Sequence, residues 1–217
     1  MQTISVVIPT LWRYQPFAEF VNEVAQVGCV DRIVIVDNNR ASRPDICWNH
    51  KIHFLDFGQN IFVNPAWNAG TYNCTGDIVC YLNDDVLFDL TLLDIVAAQM
   101  SPDHGLWGYF SSSASHSVHI EQHHHQVPTG FGQLFFLHKR NFVDIPFDLL
   151  VHCGDYFLFD VVKKKYNSNC LIKGLMFYTP SSVSSTSFAH MYVQACLLYE
   201  ALRDERKLPP ASTSNNY

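Results

Sequence analysis

Short apolar runs alternate with stretches where apolar residues recur at helical spacing, and the strongest runs end on polar clusters. ISVVI, from Ile4 to Ile8, is a β-branched run stopped by Pro9 and Thr10, which reads as a buried parallel strand. Phe17, Phe20, Val21, Val24 and Ala25 then recur every three or four residues, as in a helix packed back on a sheet. RIVIV, from Arg32 to Val36, is a second strand that stops at Asp37-Asn38-Asn39. IHFL, from Ile52 to Leu55, is a third and weaker one. A helix is predicted from about Pro65, a residue allowed in a first turn, to Tyr72, with Gly76 closing it. DIVCYL, from Asp77 to Leu82, is the fourth strand, and it runs abruptly into Asn83-Asp84-Asp85.

The second half is less regular. Asp89 is placed to cap a helix from about Leu90 to Met100, with Pro102 and Asp103 as its stop. GLWGYF reads as a strand, Ser111 to Gln126 as hairpin and loop, and Gln133 to Lys139 as another strand. A helix is expected from near Asp155 through Lys165, and a last amphipathic one from about Phe188 to Arg206, before Pro209-Pro210. This order predicts an α/β, Rossmann-like three-layer sandwich with a mostly parallel central sheet. Ligands of such sheets bind beyond the carboxyl ends of the strands. Pro9-Thr10, Asp37-Asn38-Asn39 and Asn83-Asp84-Asp85 should therefore meet at one rim. With no repeat and no dividing linker, residues 1–208 are expected to form a single domain and 209–217 a disordered tail.

Composition narrows the function. With 217 residues, 48% of them hydrophobic, the chain can bury the core of one domain. A net charge of -6 speaks against nucleic-acid binding through phosphate neutralisation, and the one basic run, Lys163 to Lys165, reads as a solvated helix face. Seven cysteines without CxxC spacing point to free thiols in a reducing compartment. The chain opens directly on strand-like residues, so a cytoplasmic location is expected, with attachment at a membrane surface left open. No apolar stretch approaches the ~18 residues that span a bilayer, so no transmembrane segment is expected.

Asn83-Asp84-Asp85 carries the strongest chemical signal. Adjacent carboxylates at the end of a buried strand repel each other unless something positive sits between them. A hard divalent cation, Mg²⁺ or Mn²⁺, would relieve that repulsion and could hold a diphosphate in turn. A cap or Asx turn before VLFDL is the plainer alternative. Asp155 after Gly154 is likewise either an ordinary helix-start residue or a carboxylate poised to take a proton. The run HIEQHHHQ can bind metals adventitiously but lacks a fixed frame.

Taken in order, ISVVIPT, IVIVDNN, NIFVNPAWNAG and GDIVCYLNDDV resemble the nucleotide-binding half of GT-A glycosyltransferases, above all the family 2 group and its rhamnosyltransferase-like branch. TGFGQLFFLHKRNFVDIPFDLLVHCGDYFLFDVVKKK is similar to that family's acceptor half, so the resemblance covers roughly residues 3 to 200. It implies a nucleotide-sugar-binding half over about 1–88 and an acceptor half over about 89–208. The nucleotide sugar would be bound by Pro9, Thr10, Asp37, Asn68, Asn83 and Asp84, with Asn68 opening the Asn-x-Gly element. Asp85 and His190 would hold the metal, and Asp155 would be the catalytic base. The chain departs from the family pattern at Asn83, usually Asp, and at Gly154, usually a second carboxylate.

The implied activity is metal-dependent transfer of a sugar from a UDP or dTDP donor to the hydroxyl of a glycan, lipid-linked or protein acceptor, with inversion and with Mn²⁺ or Mg²⁺ as cofactor. Two alternatives stay open. One is a non-catalytic nucleotide-sugar-binding module. The other is a nucleotidyltransferase, although PTLWRYQP lacks the Gly-rich loop such an enzyme usually shows after its first strand.

Overall fold

The computed structural model describes residues 1–110, 117–166, 169–180 and 188–205. The expected tail at 209–217 and the expected helix end at Arg206 lie outside the described residues. The first half runs β1 (Ile4–Thr10), α1 (Phe17–Val24), β2 (Val30–Asp37), β3 (Ile52–Leu55), α2 (Val63–Tyr72) and β4 (Ile78–Leu82). The second runs β5 (Leu87–Phe88), α3 (Thr91–Gln99), β6 (Trp107–Tyr109), β7 (His119–His123), β8 (Leu134–His138), α4 (Gly154–Tyr166), β9 (Asn169–Lys173), β10 (Phe177–Tyr178) and α5 (Tyr192–Glu205).

Eight strands form one sheet in the order β3-β2-β1-β4-β8-β6-β9-β7. Its first four strands are parallel, and β8 turns antiparallel against β4. β6 pairs parallel with β9, and β7 closes the edge antiparallel to β9. β5 and β10 make a separate two-stranded ribbon.

Successive strand residues face opposite sides, and each side has its own core. Val6, Ile8, Cys80, Leu82 and Phe136 pack with α1 and α3 through Phe17, Phe20, Val21, Leu92 and Val96. Val7, Val79, Tyr81, Phe135 and Leu137 pack on the other face with Trp67 of α2, Phe157 of α4 and Tyr199 of α5. The result is the expected three-layer α/β sandwich. Arg203 of α5 is 3% exposed and pairs with Asp160 of α4 at 3.1 Å, while the Tyr199 hydroxyl donates to the same carboxylate. The last helix is therefore locked to its neighbour by a buried charge pair as well as by apolar packing.

Two readings need correction. Gly76 does not close α2: the helix ends at Tyr72, and Asn73 continues in right-handed backbone. Gly76 instead allows close approach, since a Cβ there would lie 2.7 Å from the Ser5 backbone nitrogen. The Ser5 hydroxyl accepts the N–H groups of Thr75 and Gly76, which pins the α2–β4 turn onto β1. The stretch Ser111 to Gln126, read as hairpin and loop, contributes the edge strand β7, which pairs with the distant β9 and not within a local hairpin among the described residues; 111–116 lie outside them. The strands β5 and β10, of two residues each, are too short to show alternation.

Candidate active site

The parallel strands bring the polar clusters to one rim. Thr10 lies opposite Asp37 in the β1–β2 register, and Asn83 follows the end of β4. Much of this polarity holds the rim itself together. The Thr10 hydroxyl donates to Asp84 Oδ2 at 2.7 Å, and the Leu11 N–H donates to the same oxygen at 3.2 Å. Burial raises the Asp84 carboxyl above its ordinary range, opposed by these two bonds and by the charge of Arg13.

Asp37 is enclosed. Its Oδ1 accepts Trp12 Nε1 at 2.8 Å and the Asn39 N–H at 3.2 Å, and Arg43 Nε sits 2.8 Å from Oδ2. Trp12 packs against Trp48 and Phe54, and the Arg43 guanidinium lies 4.3 Å above the Phe54 ring. Asn68 is also engaged: its amide exchanges both hydrogen bonds with the backbone of Ile145, at 2.8 and 3.0 Å. Gly70 belongs to the same element, and a Cβ there would meet Val7 Cγ1 at 2.2 Å. The Asn-x-Gly segment thus seats α2 on β1 and ties it to the second half of the chain.

Beyond this rim lies a cleft of about 360 Å³. Pro9, Asn83, Asp84 and Asp85 line one side, and Gly132 and Asp155 the other. A neighbouring pocket shares Pro9, Asp84 and Asp85 and adds Thr10, Arg13 and Asn38. Asp85 is 7% exposed and borders both. Oxygen donors at a strand end, with Asp85 bordering both spaces, are of the type that suits a hard cation. Among the described residues no group of three or more His, Cys, Asp and Glu gathers as a self-sufficient metal cage. His190 sits exposed in the 3₁₀ turn Ala189–Met191 and lines neither space, whereas Phe188, two residues earlier, lines the neighbouring pocket.

Asp155 opens the first turn of α4 across the cleft. Burial raises its carboxyl from 3.8 to about 6, against the pull of backbone N–H groups that include those of Tyr156 and Gly132. A Cβ on Gly132 would lie 2.5 Å from Asp155 Oδ2, so the backbone reaches the carboxylate only because that residue is glycine. Gly154 is constrained as closely: a Cβ there would lie 2.2 Å from Asn64 Oδ1. Asn64 is fully buried, and its Nδ2 donates to the carbonyls of Leu149 and His152, 2.9 and 3.3 Å away. Asn64 therefore shapes the loop that delivers Asp155.

Sequence reasoning missed several of these residues. Asn64 looks like an ordinary polar residue in a helix start. His152 was one histidine among many, yet it lines the cleft and bonds the Phe188 carbonyl through Nε2 at 3.0 Å. Trp12, Phe62 and Cys153 adopt φ values of 60°, 65° and 64°. Bulky residues rarely enter this left-handed region, and such strain gathers at functional sites. Phe62 and Cys153 line the two cavities, and Trp12 follows the first strand end. Gly58, Gly130 and Gly174 enter the same region, at φ 70°, 82° and 74°, where glycine meets no such penalty.

Known structures share this architecture. GalNAc-T7, crystallised with UDP, GalNAc and Mn²⁺, aligns over 99% of this chain with a TM-score of 0.64 and 11% identity. The mannosyltransferase PcManGT from Pyrobaculum calidifontis, in complex with GDP-Man and Mn²⁺, aligns over 93% with a TM-score of 0.58 and 15% identity. Residues 1–349 of S. aureus TarS align over 82% with a TM-score of 0.55 and 15% identity. The alignments span 53%, 64% and 60% of those longer chains, and at these identities they establish the fold alone. No curated protein matches the sequence. The family model described as glycosyl transferase family 2 matches residues 5–164, which includes β1, the Asn83–Asp85 cluster and Asp155. The chain belongs to glycosyl transferase family 2.

Proposed function

We propose that the chain transfers a sugar from a nucleotide-diphosphate donor to an acceptor hydroxyl, inverting the anomeric centre. One observation carries this reading: Asp85 and Asp155 come from different halves of the chain and face the same cleft at the carboxyl ends of the strands. Pro9, Thr10 and Asn83 form the floor on the donor side, and Arg13 offers a cation to the diphosphate. Asp84 orders the turn after β1 through Thr10 and Leu11. Asp37 contacts the base or ribose once Trp12 and Arg43 yield their places, and Asn68 acts on the donor by holding α2.

Asp85 would hold Mn²⁺ or Mg²⁺, with His190 joining it if its turn swings inward. A bound cation supplies charge that offsets the departing diphosphate. Asp155 takes the acceptor hydroxyl's proton as the oxygen bonds the anomeric carbon from the face opposite the leaving group. Its raised pKa suits this role, since a base near neutrality is both ionised and able to keep the proton. The surroundings are read as cytoplasmic. Seven free thiols accord with a reducing compartment, and among the described residues no helix is long and apolar enough to cross a membrane.

Donor titrations with UDP- and dTDP-sugars, with and without Mn²⁺, test the reading. Asp85→Ala should remove metal-dependent binding, and Asp155→Asn should keep binding and lose turnover. A rival, the non-catalytic binding module, draws on Gly154, where a second carboxylate is absent and Asn64 fills the space. It predicts donor binding without product in any acceptor screen.

A further inference from the structure

Two thiols meet beside the cleft. The Sγ atoms of Cys153 and Cys196 lie 3.7 Å apart, although the residues are 43 apart along the chain. Cys196 stands on α5 and is half-buried, while Cys153 is 4% exposed and lines the cleft just before Asp155. Sugar transfer as proposed above uses neither thiol. Cys29, Cys74, Cys80 and Cys170 are buried in the two cores, and Cys47 is exposed in the loop before β3.

The backbone couples this contact to the carboxylate. Cys153 is held at φ 64°, where glycine would sit without strain, so its side chain must offset the cost of that conformation. The Cys153 carbonyl accepts the Phe157 N–H at 2.9 Å in the opening turn of α4. On the other side Gly154 has no slack, because a Cβ there would lie 2.2 Å from Asn64 Oδ1. Drawing the Cys153 sulfur toward α5 therefore pulls on the turn that holds Asp155.

We infer that Cys153 and Cys196 form a redox site: a hydroperoxide closes them into a disulfide between α5 and the start of α4, and the closure displaces the turn that carries Asp155. A disulfide is about 2.0 Å long, so sulfurs already in contact need only a short further approach. Burial, with Cys196 alongside, pushes the Cys153 thiol above its ordinary range, so the first attack falls to the more accessible Cys196. Its thiolate takes one oxygen from the hydroperoxide, the O–O bond breaks, and the peroxide's remainder leaves as water or an alcohol. Cys153 then attacks the resulting sulfenic sulfur; its thiol proton and the sulfenic hydroxyl leave as water, and the S–S bond forms. Two thiols are oxidised and one hydroperoxide is reduced. A dithiol reverses the step by exchange. In a reducing compartment the disulfides that do form are mostly transient and redox-sensing.

The test uses the full chain carrying Cys47→Ser, which removes the exposed thiol. It is treated with graded hydrogen peroxide, the remaining thiols are alkylated, and the digest is read by mass spectrometry. The expected product is one cross-linked peptide pair, Cys153 with Cys196, with a loss of about two hydrogen masses per chain that dithiothreitol restores. Adding Cys196→Ser should abolish it. Hydrogen exchange reads the consequence without any donor: closure should raise deuterium uptake over 154–158 and leave β1 and β4 unchanged. Peroxide should also lower turnover reversibly and spare the chain with Cys196→Ser. Failure of the glycosyl-transfer reading would remove only this last readout. Sulfinic acid at Cys196 without a cross-link, a cross-link to another cysteine, or a closed form whose uptake over 154–158 matches the reduced form overturns the inference. So does a peroxide-induced loss of turnover that Cys196→Ser shares, since the oxidised group then lies elsewhere.

Discussion

The rim at the end of β4 and the start of α4 each present a carboxylate to one cleft, yet they are built in opposite ways. On the β4 side, polar groups satisfy one another. Thr10 and Leu11 bond Asp84, Trp12 and Arg43 enclose Asp37, and Asn68 closes on Ile145. On the α4 side, Asp155 is held by backbone N–H groups and pressed by Gly132, and burial lifts its pKa to about 6. A network of side chains makes a rigid scaffold beside Asp85, which lines the cleft. A carboxylate among backbone dipoles and apolar walls stays close to neutrality in its proton affinity, as a general base requires. Polar clusters in a sequence thus mark scaffolding as readily as chemistry.

The sharpest break in this comparison is Asp85→Ala. It should abolish stabilisation by donor and Mn²⁺, a difference of about 2.7 kcal/mol when ligand stands at a hundred times Kd. Thermal melts with each ligand alone and together measure it. Asp84→Asn should keep most of that response, because its work is to order the turn after β1.

Asp155→Asn is expected to lower turnover by ~10²–10⁴-fold with donor affinity unchanged. For the wild type, kcat/KM should rise with pH through about 6 as the base ionises. Stability should move the other way. Below pH 3.8 the carboxyl is protonated whether the chain is folded or not, and above about 6 it is ionised in both states, with the folded state bearing the desolvation. The contribution of Asp155 to stability therefore falls between those limits and stays low above them. Asp155→Asn should accordingly melt higher than wild type at pH 8 and match it at pH 3.5. Equal melting at both pH values would show that Asp155 is not desolvated.

Much of the frame was legible because local pattern and tertiary role agree. ISVVI, RIVIV and DIVCYL are buried on both faces of a parallel sheet, so their apolar runs are continuous, and their polar ends fall on one rim. Phe17, Phe20, Val21 and Val24 are all buried, as their spacing requires. The second half was harder because its signals are not local. The strand β9 exists through pairing with β6 and β7, and Asn64 matters through contacts 85 and 88 residues away. The left-handed backbone of Trp12, Phe62 and Cys153 leaves no trace in residue type, since none of the three favours it.

Gly154→Ala tests the less legible side. The new Cβ would lie 2.2 Å from Asn64 Oδ1, deep in a fully buried site, and such overpacking typically costs ~1–3 kcal/mol. Urea unfolding should show that loss. Removing the obstructing amide in Gly154→Ala/Asn64→Ala should not restore it fully, because the Leu149 and His152 carbonyls lose their donor. Turnover should fall in both variants, as the loop before Asp155 is displaced.

The smallest effect is expected from Asn68→Ala, and it bears directly on what the β4 side is made of. Asn68 exchanges two hydrogen bonds with Ile145, so alanine removes both and leaves the backbone N–H and carbonyl of the buried Ile145 to find water through the space the half-buried Asn68 vacates. Such bonds contribute ~0.5–1.5 kcal/mol each, and partial access to solvent keeps the loss toward the lower end. If Asn68 serves the donor through the scaffold, Asn68→Ala should unfold at lower urea while its donor Kd, measured well below the unfolding transition, shifts less than threefold. A tenfold weaker donor Kd at unchanged stability would instead make Asn68 a direct ligand of the nucleotide sugar. The pairing with Ile145 would then be a resting arrangement that the donor displaces.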